Sequence, residues 1–307
     1  MEKPTEPALR HASDFPPEVL RLFDQYVHNV IDRRAFLDRA TAFATKTVTA
    51  AAFLEALRPR FAEAQQIKPT DARLRTETVD FASPRGYGKA RGYLARPVKA
   101  AGKLPTVLVA HENRGLNPHI EDIARRLALD GFLAFAPDAL APLGGYPGHE
   151  DNAEDEARAA FATLDQAKTR EDFVAAAAFA RARPESNGHL GVVGFCWGGG
   201  IANFLATRLP DLSAAVPFYG MAPATETVPA IKAPLLLHFA EHDDRINASW
   251  PAYEAALKAA HVRYEAHVYP GTQHGFNNDT TPRYDAAAAT LAWQRTIAFF
   301  HHHLEKV

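Results

Sequence analysis

From residue 73 onward the chain alternates between two hydrophobic spacings. Short apolar runs at 106–111, 132–136, 190–194, 214–219, 235–240 and 263–269 read as buried strands. Between most of them apolar residues recur every three or four positions, at 118–130, 154–164, 170–183, 201–209, 249–260 and 282–303. Strands that are apolar along their whole length, separated by helices, imply a mostly parallel sheet covered on both faces. Two earlier runs, 73–81 and 89–96, flank Ser83-Pro84-Arg85-Gly86-Tyr87-Gly88, whose proline and glycines predict the turn of a hairpin.

The first seventy residues carry only the helical spacing. Val19, Leu20, Leu22, Phe23, Tyr26, Val27, Val30 and Ile31 form one stripe behind Pro17, a residue suited to a first helical turn. Asp32 is placed to cap a second helix, a third is expected over 47–58, and 60–66 continues as a further turn. The pattern divides the chain into a helical extension, 1–70, and an α/β domain, 71–307. An apolar stripe on each helix must be covered by the core, by its neighbours or by a second subunit, which leaves a homodimer through these helices open.

The most specific local pattern is Gly194-Phe195-Cys196-Trp197-Gly198, entered from the apolar run Leu190-Gly191-Val192-Val193 and followed by Gly199 and Gly200. Glycines two before and two after a central residue suit a sharp strand-to-helix turn, in which a nucleophile is held in a strained backbone conformation. Such a turn lifts the side chain clear of the sheet and leaves N–H groups free at the helix N-terminus, among them that of Trp197, where a developing oxyanion can use them. Cys196 occupies the nucleophile position. Two partners follow in order. Strand 235–240 runs into Glu241-His242-Asp243-Asp244, and strand 263–269 runs into Pro270-Gly271-Thr272-Gln273-His274. Nucleophile, acid and histidine in that order are the arrangement of α/β-hydrolases. In it His274 takes the thiol proton, while Asp243 fixes the imidazole tautomer and stabilises its charged form.

These motifs together resemble the dienelactone hydrolase family, whose elbow commonly reads Gly-Phe-Cys-x-Gly-Gly, as at Gly194 to Gly199 here. A second family signature, a glutamate at the end of an early central strand with glycine soon after, matches Val109-Ala110-His111-Glu112-Asn113-Arg114-Gly115. The resemblance spans roughly 72–303. It implies an α/β-hydrolase fold, hydrolysis of a carboxylic ester or lactone through a cysteinyl thioester, and no organic cofactor or metal. It further implies that Glu112 pairs with the resting thiol and that Asn113 supplies an oxyanion N–H beside that of Trp197. One departure bears on substrate choice. Relatives bind an anionic lactone with arginines, one of them four residues after the catalytic histidine, where this chain has Asn278; the loop 139–152, read as a rim or lid, also lacks arginine. Neutral or differently substituted esters and lactones are therefore expected, unless Arg114 or Arg283 replaces the missing charge. Two other readings stay open: a catalytically silent fold whose thiol senses redox state or binds a ligand, and acyl transfer to an alcohol or amine.

Composition narrows the setting. With 34 Lys and Arg against 36 Asp and Glu spread throughout, the chain offers no basic stripe for nucleic acid and no polybasic membrane arm. Its single cysteine excludes an intramolecular disulfide and leaves the thiol available for chemistry. Arg33-Arg34 resembles a twin-arginine export motif, yet Lys46, Glu55 and several threonines interrupt the apolar stretch after it, so a cytoplasmic location is expected. His238, His242, Asp243 and Asp244 lack a recognised metal-ligand spacing and read as structural or supporting groups.

Overall fold

The eight apolar and alternating runs become one eight-stranded sheet. The structure, a computed structural model, describes residues 10–148 and 153–305. Strands β1 (Leu74–Ser83), β2 (Gly88–Pro97), β3 (Leu104–Ala110), β4 (Leu133–Pro137), β5 (Ser186–Phe195), β6 (Ala214–Phe218), β7 (Leu235–His242) and β8 (Tyr264–Gln273) lie in the order β1-β2-β4-β3-β5-β6-β7-β8. The hairpin partners β1 and β2 pair antiparallel from Leu74↔Pro97 to Ser83↔Gly88, and β2 meets β4 antiparallel. From β4 onward every pairing is parallel. This is the mostly parallel sheet of an α/β-hydrolase.

The helices are α1 (Pro17–Val27), α2 (Arg33–Ala40), α3 (Ala50–Ala56), α4 (Phe61–Ala64), α5 (Pro118–Leu129), α6 (Ala153–Ala162), α7 (Gln166–Arg181), α8 (Trp197–Arg208), α9 (Asp244–Asn247), α10 (Trp250–Ala259) and α11 (Ala286–Leu304). Helices α5 and α11 bury Ile120, Ile123, Leu127, Ala292 and Phe300 on one face of the sheet; α6, α7, α8 and α10 bury Phe161, Phe173, Leu205 and Leu257 on the other. Several boundaries differ from expectation for local reasons. Helix α8 starts at Trp197, four residues earlier than the spacing suggested, because Cys196 itself is its N-cap. Helix α11 starts late, where the Asp285 carboxylate accepts from Ala288 N. Strand β8 continues through Pro270 and Gly271, which read as loop, because a shift in register after Ala240 lets His242 pair with Gln273. Residues 149–152 of the expected rim loop lie outside the described residues.

The N-terminal helices cover one another's stripes. Val19, Phe23, Tyr26 and Val27 of α1 pack with Phe36 and Ala40 of α2 and Phe53 and Leu54 of α3 in an apolar cluster separate from the two that flank the sheet. Asp32 caps α2 as expected. Polar ties hold this cluster to the rest: Tyr26 Oη donates to Asp155, Arg158 lies 4.1 Å over the Tyr26 ring, and Arg60 N donates to Thr280 O. Arg33 and Arg34 form the first turn of α2. Among the described residues no helix is long and apolar enough to cross a membrane.

Candidate active site

Steric necessity explains the glycines at the end of β5. A Cβ on Gly194 would lie 2.9 Å from Gly199 N and closer still to the Gly198 carbonyl, and one on Gly199 would lie 2.5 Å from Phe218 O. Strand and helix therefore approach more tightly than side chains allow. Between them Cys196 takes φ 57 and ψ −114, a left-handed conformation costly for a residue with a side chain and typical of functional turns. Its amide is anchored by Phe218 O, and Trp197 opens α8, where the first N–H groups have no intrahelical partner.

Asp243 and His274 come together across the ends of β7 and β8. One Asp243 oxygen caps α9 through Ile246 N and the other lies 2.5 Å from His274 Nδ1; both side chains are buried. Asp244 instead begins α9 and is exposed. His274 Nε2 is buried without a hydrogen-bond partner, and a ring nitrogen of His274 lies within 4.8 Å of Cys196 Sγ. Tyr219, itself at positive φ, packs on the His274 ring with centroids 4.9 Å apart.

The charges of this cluster are coupled. Burial alone would raise the Cys196 thiol, but the positive charges of His274 and His28 outweigh it and bring it down to about 5. Burial alone would lower His274, and the charges of Asp243 and the thiolate raise it to about 10. Glu112 is buried too; Arg114, His119, Arg283 and His274 overcome its desolvation and keep its carboxyl below the usual range. Its Oε2 accepts from Asn278 Nδ2 at 3.0 Å, so the residue standing in the family's arginine position is engaged with Glu112. The two cations that could have replaced the missing charge are also occupied. Arg114 lies 3.0 Å from Glu154, and Arg283 lies over the Phe23 ring, 3.7 Å from Asp24.

One residue at the sulfur escaped the sequence reading. His28, at the C-terminal end of α1, places Nε2 3.3 Å from Cys196 Sγ. Its only local signal was Asp24 four residues earlier, and nothing in that spacing says where the helix docks. Asn113 fixes the approach: its side chain donates to Val27 O at 2.6 Å. Arg245, also unremarked in the sequence, lies 2.8 Å from the same His28 nitrogen.

Cys196, Trp197, His28 and Asn113 line a cavity of about 920 Å³, walled by Phe161, Ile201, Phe204, Met221 and Ile246 and carrying Arg170, Arg208, Arg245 and Glu226. Trp197 is stacked on His111 and donates to Gln166, which stiffens this wall. His28, Cys196 and His274 offer three ligand atoms within 4.8 Å of one another, a set suited to a soft metal ion. The Arg245 guanidinium against His28 opposes a cation there. His238 is occupied elsewhere, between Tyr269 Oη and Thr296 Oγ1 in the core.

The sheet order and elbow define an α/β-hydrolase. Within that class, a family profile described as dienelactone hydrolase family matches residues 90–304, and the chain belongs to that family. A second profile, described as YqhI-like, matches residues 7–45. The chain is 49% identical over 108 residues to YghX of Escherichia coli K12, provisionally named a hydrolase fragment; the match covers 35% of this chain and 92% of that one. It is 35% identical over 219 residues to a protein of the same organism provisionally named carboxymethylenebutenolidase, covering 68% of this chain and 80% of the relative. A crystal structure provisionally named dienelactone hydrolase, from Klebsiella pneumoniae subsp. pneumoniae MGH 78578, superposes with a TM-score of 0.62 at 31% identity, covering 74% of this chain and 98% of that one. The chain is thus a carboxylic ester hydrolase of the carboxymethylenebutenolidase-like kind.

Proposed function

We propose that this hydrolase cleaves esters or lactones through a cysteinyl thioester, with Cys196, His274 and Asp243 as a triad. The observation that carries the reading is the strained Cys196 at the strand-to-helix turn, with the Asp243–His274 pair at 2.5 Å beside it. The thiolate attacks the substrate carbonyl carbon, and the carbonyl oxygen takes up the charge between the N–H groups of Trp197 and Asn113. His274 gives its proton to the leaving alkoxide. It then removes a proton from water, which attacks the thioester, releases the acid and restores the thiolate. Asp243 keeps the His274 proton on Nδ1 and stabilises the imidazolium. Glu112 acts as the buried counter-charge that tempers the cations around the thiol.

The substrate reading follows from the cavity. Most of its wall is apolar, and Asn278 is turned to Glu112. Neutral esters and lactones of small-molecule size fit it best; a volume of about 920 Å³ is ample for them. We read 1–70 as a helical extension with its own apolar cluster and 71–307 as the hydrolase domain, working in the cytoplasm. The experiment is turnover of an activated ester and of a neutral lactone by the wild type and by Cys196→Ala. Loss of turnover in the variant is expected. Full turnover without the thiol would reject the mechanism, and an ester or amide product formed with an added alcohol or amine would favour acyl transfer.

A further inference from the structure

Two imidazoles, each held by an aspartate, converge on one sulfur. His274 approaches from the hydrolase fold, its Nδ1 on Asp243. His28 approaches from the N-terminal helices, with Nδ1 2.8 Å from the backbone carbonyl of Asp24 and 3.3 Å from its carboxylate, and Nε2 3.3 Å from Sγ. The rings meet edge to face, 4.9 Å apart at 81°. The end of α1 that carries His28 is clamped at three points: Asn113 donates to Val27 O, Arg158 donates to Tyr26 O, and Arg158 also reaches the Asn29 side chain. His28 is thus a fixed group, 12% exposed, at the nucleophile.

We propose that His28 is a second catalytic imidazole on Cys196, one that accepts the thiol proton and holds the thiolate, so that the helical extension helps to set the charge of the nucleophile. The proposal rests on Cys196 being the nucleophile. In the step, the S–H bond breaks, its electron pair stays on sulfur and the proton passes to His28 Nε2. The resulting imidazolium donates through Nε2–H to the thiolate and through Nδ1–H to Asp24. The thiolate's charge and Asp24 both favour this protonated form over the cost of burial.

Arg245 makes the arrangement a contest for one lone pair. Its guanidinium donates to His28 Nε2 at 2.8 Å, which requires that nitrogen to be unprotonated. Proton transfer from the thiol therefore displaces Arg245 toward the cavity it lines. The positive charge that reaches the sulfur from this side is the imidazolium's, since the guanidinium meets His28 Nε2 and His28 meets Sγ. The remaining charged or titratable groups facing the pair are His274 with Asp243, Asp24 with Arg283, and Glu112, Arg114 and Tyr219 across the nucleophile. These persist when His28 is replaced; Arg245 loses its partner with it, so the double variant His28→Asn with Arg245→Gln separates the imidazole's effect on the thiol from the guanidinium's.

The test is the pH dependence of Cys196 alkylation by iodoacetamide, followed by mass spectrometry; the sole cysteine makes the label unambiguous. In His28→Asn the midpoint is expected to rise by about 1–2 pH units, the effect of losing one opposite charge at this distance. The acid limb of kcat/KM should rise with it. Circular dichroism establishes that the variant is folded. Should it not fold, Asp24→Asn carries the same test, with a smaller rise because the ring remains and only its charge support is reduced. An unchanged midpoint in either folded variant overturns the proposal. Alkylation needs no substrate, so the outcome stays distinct from the hydrolase reading: full ester turnover by Cys196→Ala rejects the thioester mechanism while the alkylation profile still reports on His28.

Discussion

Gly198→Ala isolates the geometry of the elbow from its chemistry, because it adds one methyl group and touches no reacting atom. A Cβ at Gly198 would lie 2.5 Å from His111 O and closer to the Ala110 carbonyl, whereas ordinary contact begins at 3.4 Å. Backbone cannot rotate away as a side chain can, so α8 must move off β3 by roughly 1 Å. That movement separates Trp197 N–H from Asn113 N–H, and a misplacement of about 1 Å in a catalytic constellation costs about 100-fold in rate. Overpacking of this kind also destabilises by about 1–3 kcal/mol, which lowers Tm by several degrees in a chain of this size. Gly200 supplies the control two residues along the same helix, where the nearest atoms to an added Cβ are 3.8 Å away on Met221. Gly200→Ala should hold or raise Tm, since alanine is favoured over glycine in a helix by about 0.5–1 kcal/mol. The assays are kcat/KM on an activated ester and thermal melting of both variants. Wild-type rate and Tm in Gly198→Ala would refute the claim that close backbone approach builds the site.

Asp243→Asn should lower kcat by about 10³–10⁴-fold through the wrong His274 tautomer and the lost charge, with Asp244→Asn within a few-fold of wild type; the opposite ranking transfers the role to Asp244. The wild-type thiol, brought down to about 5, is a thiolate at neutral pH and loses that charge as the pH falls through about 5. Its alkylation rate should therefore be flat from pH 7 to 9 and drop toward pH 5, and a midpoint near that of an ordinary thiol contradicts the charge pairing. For substrates, kcat/KM should favour a neutral lactone over dienelactone of similar size. Two arginines on the cavity wall have other partners, Arg170 over Phe204 and Arg208 3.7 Å from Glu171, and Arg245 is on His28 while that nitrogen is unprotonated. A strong preference for the anion reverses this reading, and its loss in Arg245→Gln would locate the cation responsible.

Much of the fold and part of the site were legible because their causes are local. A strand buried on both faces must be apolar along its length, and β3 to β7 announced themselves in that way, the edge strand β8 through alternation of polar and apolar residues and the hairpin pair through the turn between them. The elbow showed because its glycines flank one residue at a fixed spacing: Gly194 answers to Gly198 and Gly199 within the turn, while Gly198 and Gly199 make room for the neighbouring strands at Ala110 and Phe218. Asp243 and His274 could be placed because parallel strands deliver their C-terminal ends to one edge of the sheet, whatever the intervening helices do. The misplaced boundaries arose where a neighbour overrode the local signal: Pro270 and Gly271 read as loop, yet pairing between His242 and Gln273 carries β8 through them.

His28 and Arg245 lay beyond that reach for a physical reason. An amphipathic stripe says that α1 must be covered, and Val19, Phe23 and Tyr26 are indeed buried, but it says nothing about what the helix end meets. That is set by polar contacts from distant segments, Asn113 on Val27 and Arg158 on Tyr26, none of which has a spacing to read. Arg245 likewise sits in a turn whose acidic residues drew the eye, while its partner is 217 positions away. Absence of arginine at 278 is visible in the sequence, but its consequence depends on where the asparagine points. It points to Glu112 and is not among the residues lining the cavity, whose arginines come from α7, α8 and α9, which no motif had marked.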